Sequence, residues 1–128
     1  MMSFNFTIDI NPERNLMVAK IYGIWKKETA EAYHEEYKKT AEPFLGKRWA
    51  KLTNLTNWKS SYPEIVDVLS EHMHWCQENG AVYSVYIIDN PVTHSQLSKM
   101  IKKGDVSTIS KIFRTYDEGD RFLKQNGF

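Results

Sequence analysis

The stretch that most constrains the fold is Ala81 to Asn90, AVYSVYIIDN, with Pro91 directly behind it. In an extended chain Val82, Ser84, Tyr86 and Ile88 point one way, and Ala81, Tyr83, Val85 and Ile87 point the other. Both sides are largely apolar, the pattern of a strand covered on both faces in a partly parallel sheet. The run is too short to span a bilayer. Asp89, Asn90 and Pro91 end it and start a helix.

The rest of the chain supplies partners for that strand. Phe4, Phe6, Ile8 and Ile10 alternate with polar residues and predict an edge strand. A turn at Asn11–Asn15 leads into a second strand, Leu16 to Trp25, close enough to make a hairpin with the first. Glu28 to about Glu42 carries Ala30, Tyr33, Tyr37 and Ala41 at helical spacing and stops at Pro43 and Gly46. Trp49 to Leu55 predicts a third strand, and Thr56 to Ser60 a loop. Ser61 and Glu64 form an S-x-x-E capping pair for a second helix running to about Asn79, with Gly80 as its stop. Beyond the central strand, Thr93 with Gln96 and Thr115 with Glu118 predict caps for two more helices. Between those helices Ile109 to Arg114 reads as the last strand. The order β-β-α-β-α-β-α-β-α predicts one α/β domain over residues 1–128. Its sheet is mixed and roughly five-stranded, with an N-terminal hairpin followed by βα units and about four helices.

Composition narrows the function classes. The 17 basic and 16 acidic residues nearly cancel, whereas a nucleic-acid binder concentrates basic charge on one face. Cys76 is the single cysteine, so no internal disulfide forms; with no apolar leader run at the N-terminus, a cytoplasmic setting is expected. No apolar run is long enough for a transmembrane segment. There is no glycine-rich phosphate loop and no paired-carboxylate motif. No residue is assigned a catalytic role, and no cofactor is expected.

Three groups of residues stand out as candidate sites. His72 and Cys76 are four apart and share a helix face, but a closed metal site needs more ligands, so no metal is expected. Cys76 reads as a small core residue and His72 as lying at the edge of the packed face. Trp25 and Trp58 each follow a strand end, where open α/β sheets leave a crevice. With Asn54, Asn57, Lys59, Asp89 and Asn90 near the same edge, they form a candidate binding site for a protein partner or a small apolar, lipid-like ligand. The edge strand Phe4–Ile10 offers a surface for a homodimer.

Three segments give the chain a family resemblance. They are Gly23-Ile24-Trp25 before an acidic helix start, Ala50-Lys51-Leu52-Thr53-Asn54-Leu55, and Ile112-Phe113-Arg114-Thr115-Tyr116-Asp117-Glu118 followed by Phe122-Leu123. In this order they resemble the STAS domains, the anti-sigma factor antagonist fold, and more closely its SpoIIAA-like branch. The resemblance implies a small non-enzymatic domain that binds a protein or an apolar small molecule. In phosphorylated members a serine at the start of the second helix is the switch. The matching segment here, Asn57-Trp58-Lys59-Ser60-Ser61, puts Ser60 and Ser61 near that place, without the family's preceding aspartate or following glycine.

Overall fold

A computed structural model describes residues 5–128. Phe4, placed in the first strand by its alternation, lies outside the described residues. The elements run β1 (Phe6–Asn11), β2 (Leu16–Trp25), α1 (Lys27–Thr40), a 3-10 turn (Glu42–Phe44), β3 (Trp49–Ser61), α2 (Ile65–Glu78), β4 (Ala81–Ile87), α3 (Pro91–Lys103), β5 (Ser110–Phe113) and α4 (Tyr116–Gln125). The five strands lie in sequence order. β1 pairs antiparallel with β2, and β2, β3, β4 and β5 are parallel. The expected mixed sheet is thus present, with β4 between like-directed neighbours.

The sheet divides two cores. On one face α1, α2 and α3 press Tyr33, Tyr37, Leu69, Met73, Leu97 and Met100 against Met17, Ala19, Leu55 and Tyr86. On the other face α4 and the C-terminal Phe128 cover Leu16, Ala50, Leu52, Val85 and Ile87. Each fully buried Leu, Ile or Met contributes about 1.5–3 kcal/mol relative to exposure. Helices on both faces of parallel strands explain why β4 reads as an unbroken apolar run.

The reading of β4 needs one correction. Ala81 packs on the three-helix side with Tyr86 and Ile88, and Val82 packs on the α4 side with Tyr83, Val85 and Ile87. The register shift between Trp49–Ala81 and Ala50–Tyr83 exchanges the first two residues. One irregular step is enough, because side chains alternate with a period of two.

A second correction concerns the segment after Leu55. Thr56–Ser60 is strand, since β3 continues beside β2 with Tyr22 opposite Asn57, Gly23 opposite Trp58, Ile24 opposite Ser60 and Trp25 opposite Ser61. Register shifts interrupt this pairing twice. At the first, Asn54 Oδ1 accepts from the Thr56 amide at 3.1 Å and from Thr56 Oγ1 at 2.8 Å, the local bonding that makes asparagine a turn former. The polar composition that suggests a loop instead marks a bulged strand.

Two of the three expected caps differ. Ser61 belongs to β3 and its Oγ accepts from Trp58 Nε1 at 2.8 Å, while α2 starts behind Glu64 with no side-chain cap. At α3 the cap is Asn90, whose Oδ1 accepts from the Val92 amide at 2.8 Å and the Thr93 amide at 3.4 Å. Asparagine at N-cap with proline at the first helical position outcompetes the Thr93–Gln96 pair. At α4 the expected pair forms: the Glu118 amide donates to Thr115 Oγ1 at 3.3 Å, and Thr115 Oγ1 donates to Glu118 Oε1 at 2.8 Å.

Gly80 ends α2 with φ +108°, and a Cβ there would sit 2.1 Å from the Lys47 carbonyl oxygen. Gly80→Ala is expected to destabilise the fold by more than about 1 kcal/mol, from left-handed backbone and a backbone clash together. Urea unfolding against wild type measures it, and an unchanged midpoint would show that the α2–β4 connection relaxes freely.

Candidate functional site

β3 alternates Lys51, Thr53 and Leu55 toward the three-helix layer with Ala50 and Leu52 toward α4. Since β3 sits inside the sheet, Lys51 enters the core. It is 1% exposed. Its Nζ lies 3.3 Å from His72 Nε2 and 3.6 Å from Cys76 Sγ, both on the inner face of α2. The rings of Tyr37 and Tyr86 stand 5.1 and 5.9 Å from the ammonium, within cation–π range. The ion pairs of the described residues use other cations and leave Lys51 without a carboxylate.

Donor and acceptor logic orders the protons. A charged Lys51 only donates, so His72 Nε2 accepts and its proton is assigned to Nδ1. His72 Nδ1 lies 2.9 Å from His34 Nδ1, which then accepts, leaving His34 protonated at Nε2. The chain Lys51–His72–His34 runs from the core to a half-buried residue on α1.

The environment keeps these groups away from their usual titration ranges. Burial, then the charge of Lys51, pushes His72 well below the ordinary histidine value. His34 is lowered by burial and by Lys38. Burial raises Tyr33 and Tyr37 well above the usual phenol range. Burial also raises the Cys76 thiol, against the pull of Lys51. For Lys51, burial works against the ammonium while its interactions with Cys76 and Tyr86 favour it and prevail, so it sits above its usual value.

Lys51 and His72 line a narrow void beneath the helices, with about 20 Å³ of room for the centre of a water molecule, enough for one water. Its walls are mainly apolar: Ile21, Trp25, Leu55 and Trp58 from the sheet, Leu69, Met73, Leu97 and Met100 from α2 and α3. Thr53 also lines it, and its buried Oγ1 faces Tyr33 without forming a well-aligned hydrogen bond.

Of the residues singled out by sequence, Trp25 and Trp58 meet at this void. Both are buried; Trp25 Nε1 donates to the carbonyls of Asn5 and Tyr22 at 3.2 and 3.1 Å. Asn54 closes the β3 bulge, and Asn57 and Lys59 are exposed further along the same strand. Asp89 and Asn90 line a separate hollow at the ends of β4 and β5 with His94 and Arg114. Ser60 and Ser61 are half-buried. His72, expected at the edge of the packed face, is 2% exposed. His72 and Cys76 do converge, with Nε2 3.6 Å from Sγ, but on an ammonium. Among the described residues no group of three or more His, Cys, Asp or Glu is placed to hold a metal ion. Lys51 escaped the sequence reading because a lysine alternating with Thr53 fits a half-exposed strand equally well. The signal was its position inside the apolar run Trp49–Leu55.

No family model matches the sequence, and no curated protein does. Solved structures do match. An uncharacterized protein of the DUF3478 family with a SpoIIAA-like fold, from Shewanella loihica PV-4, superposes with TM-score 0.67 at 12% identity, over 96% of this chain and 99% of that one. An anti-sigma factor antagonist from Mycobacterium paratuberculosis superposes with TM-score 0.63 at 13% identity, over 93% and 94%. The fold is STAS-like. At these identities the likeness establishes architecture, and residue roles must come from this chain's own geometry. No helix among the described residues is long and apolar enough to cross a membrane.

The buried imidazole sets a pH dependence. The unfolded chain takes up a proton on His72 below about pH 6.5, while the folded chain does not until well below that. The share of stability that depends on a neutral His72 is therefore fully present above about pH 6.5 and is lost with acidification, at up to about 1.4 kcal/mol per pH unit. His72→Gln is expected to flatten the stability profile between about pH 6.5 and 5. Urea unfolding at several pH values checks this; an equal slope in both proteins would place the acid sensitivity elsewhere.

Proposed function

We propose that the chain is a non-catalytic, STAS-like regulatory domain that acts by binding a protein partner. The observation carrying this reading is the match of fold, over nearly both full lengths, to an anti-sigma factor antagonist. The chain's own surface supports it. The ends of β2 and β3 run past β4 as a bulged two-stranded ribbon. That ribbon and the turn behind it expose Ile24, Asn57, Lys59 and Tyr62, with Ile24 at 55% and Tyr62 at 50%. An exposed aliphatic and an exposed aromatic beside a lysine suit a protein contact better than solvent. Trp58 belongs to the support of this face, being buried, so the informative substitutions are at its exposed neighbours.

Tagged wild-type chain should capture a partner from source-cell lysate that Lys59→Glu and Tyr62→Ala fail to retain, the tyrosine change costing about 2 kcal/mol or more if it anchors the contact. Equal capture by all three would rule this face out. The same experiment with an untagged copy present reads the proposed homodimer through the β1 edge: recovery of that copy supports it, and none rejects it.

Phosphorylation at Ser60 or Ser61 is part of the same proposal. A phosphate on Ser61 would displace the indole N–H of Trp58 and add nearly two negative charges beside Lys59. Incubation with source lysate and ATP, followed by peptide mapping, should label one of these serines; unlabelled peptides alongside a labelled control substrate reject the switch.

The void beneath the helices favours a second reading, a carrier or sensor of a small apolar ligand. Trp25, Trp58 and two methionines are among its walls, and methionine is the side chain that most readily repacks around a guest.

A further inference from the structure

We propose that Lys51 anchors an anion-binding pocket, and that the pocket takes a small monocarboxylate with a short apolar or aromatic body. The inference rests on the carrier reading and adds the chemistry of the guest. Three observations converge on it. The first is an ammonium with too few acceptors. Lys51 Nζ has three N–H bonds to satisfy, and the polar contacts it has are one imidazole nitrogen at 3.3 Å and one sulfur at 3.6 Å. Sulfur is a weak acceptor, and no carboxylate of the described residues pairs with this buried cation.

The second observation is direction. Lys51, His72 and Thr53 line the same void. Thr53 Oγ1 is buried there beside Tyr33 without a well-aligned hydrogen bond, so its hydroxyl is available to a guest. A carboxylate supplies what both lack: one oxygen takes a charge-assisted bond from Lys51, and the other can accept from the Thr53 hydroxyl.

The third observation is the walls. Away from these polar atoms the lining is apolar, including Trp25, Trp58, Leu69, Met73, Leu97 and Met100. A few convergent polar groups in an otherwise apolar lining is the usual make-up of a small-molecule site. One cation and one hydroxyl do not satisfy a phosphate dianion, whose further oxygens would face Leu and Met. The void as it stands admits a water, so the guest is small, and Met73 and Met100 are the side chains whose rotation would enlarge it.

The test titrates the full chain with sodium benzoate, butyrate and octanoate, with benzamide as the neutral match to benzoate and inorganic phosphate as the polar control. Tryptophan fluorescence and calorimetry follow binding, because Trp25 and Trp58 line the site. Benzoate is expected to bind saturably at one per chain and benzamide at least about tenfold more weakly. Lys51→Met is expected to lose that same factor for benzoate and leave benzamide unchanged. Replacing an unpaired buried charge with an apolar side chain of similar length is neutral or stabilising, so this variant should fold, which circular dichroism checks. Should it not fold, the benzoate–benzamide comparison on wild type still decides. Equal binding of the two overturns the anion anchor and leaves the carrier reading standing. Unchanged benzoate affinity in Lys51→Met overturns the site. Phosphate binding as tight as benzoate overturns the apolar body. No saturable binding by any compound, with no small-molecule mass on the purified chain in native mass spectrometry, removes this proposal and the carrier reading together.

Discussion

The parallel pairing of β3 between β2 and β4 is the constraint on which the structure depends. Parallel neighbours must be joined by crossovers, and the crossovers here are helices. Those helices, α1, α2 and α3, cover one face of the sheet, and α4 with Phe128 covers the other, so β3 and β4 lose access to water on both sides. Every side chain of the segment Trp49–Thr53 is buried as a result. Trp49, Ala50 and Leu52 suit that position as core side chains, and Thr53 buries a hydroxyl there. Lys51 does not suit it, and its surroundings adapt: an imidazole, a thiol and two phenol rings gather where another protein would place a carboxylate. A buried ammonium without a carboxylate is costly unless other groups hold the charge, and here the imidazole, the thiol and the rings do so.

The same strand shapes the proposed partner face. β3 spans thirteen residues where β4 spans seven, so its far end has β2 as a neighbour on one side and nothing from β4 on the other. The bulges in this ribbon twist it away from regular pairing, a common means of blunting an edge that would otherwise template aggregation. Its exposed Ile24 and Tyr62 then read as surface kept apolar for a contact. Trp58 links the two features. Its ring lines the void that Lys51 reaches, and its indole N–H holds Ser61 at the ribbon's end. A guest in the void and a partner or phosphate on the ribbon would therefore press on one side chain from opposite directions.

What could be read in advance follows the range of the interactions involved. The two-sided apolar run of β4, the alternation of β1 and the helical spacing of Ala30, Tyr33 and Tyr37 are each settled within a few residues, and the architecture built from them stands. The Thr115–Glu118 cap is equally local and forms. The Ser61–Glu64 and Thr93–Gln96 pairs are also local patterns, yet each lost to a competitor: Ser61 to the Trp58 indole inside an extended strand, and Thr93 to Asn90 with Pro91. The polar stretch Thr56–Ser60 looks like a loop until β2 is placed beside it, because β-pairing satisfies its backbone from another part of the chain.

The sequence by itself determined the order and kind of the elements, the mixed sheet and the double covering of β4, because periodicity and turn chemistry are properties of neighbouring residues. Only the tertiary structure decided the length of β3, the meeting of Trp25 with Trp58, and the burial of Lys51 against His72 and Cys76. Those contacts join residues as many as 36 positions apart, as in the pairing of Trp25 with Ser61. Whether a lysine on an alternating strand ends in water or in the core depends on which neighbours flank that strand, and no short-range pattern carries that information.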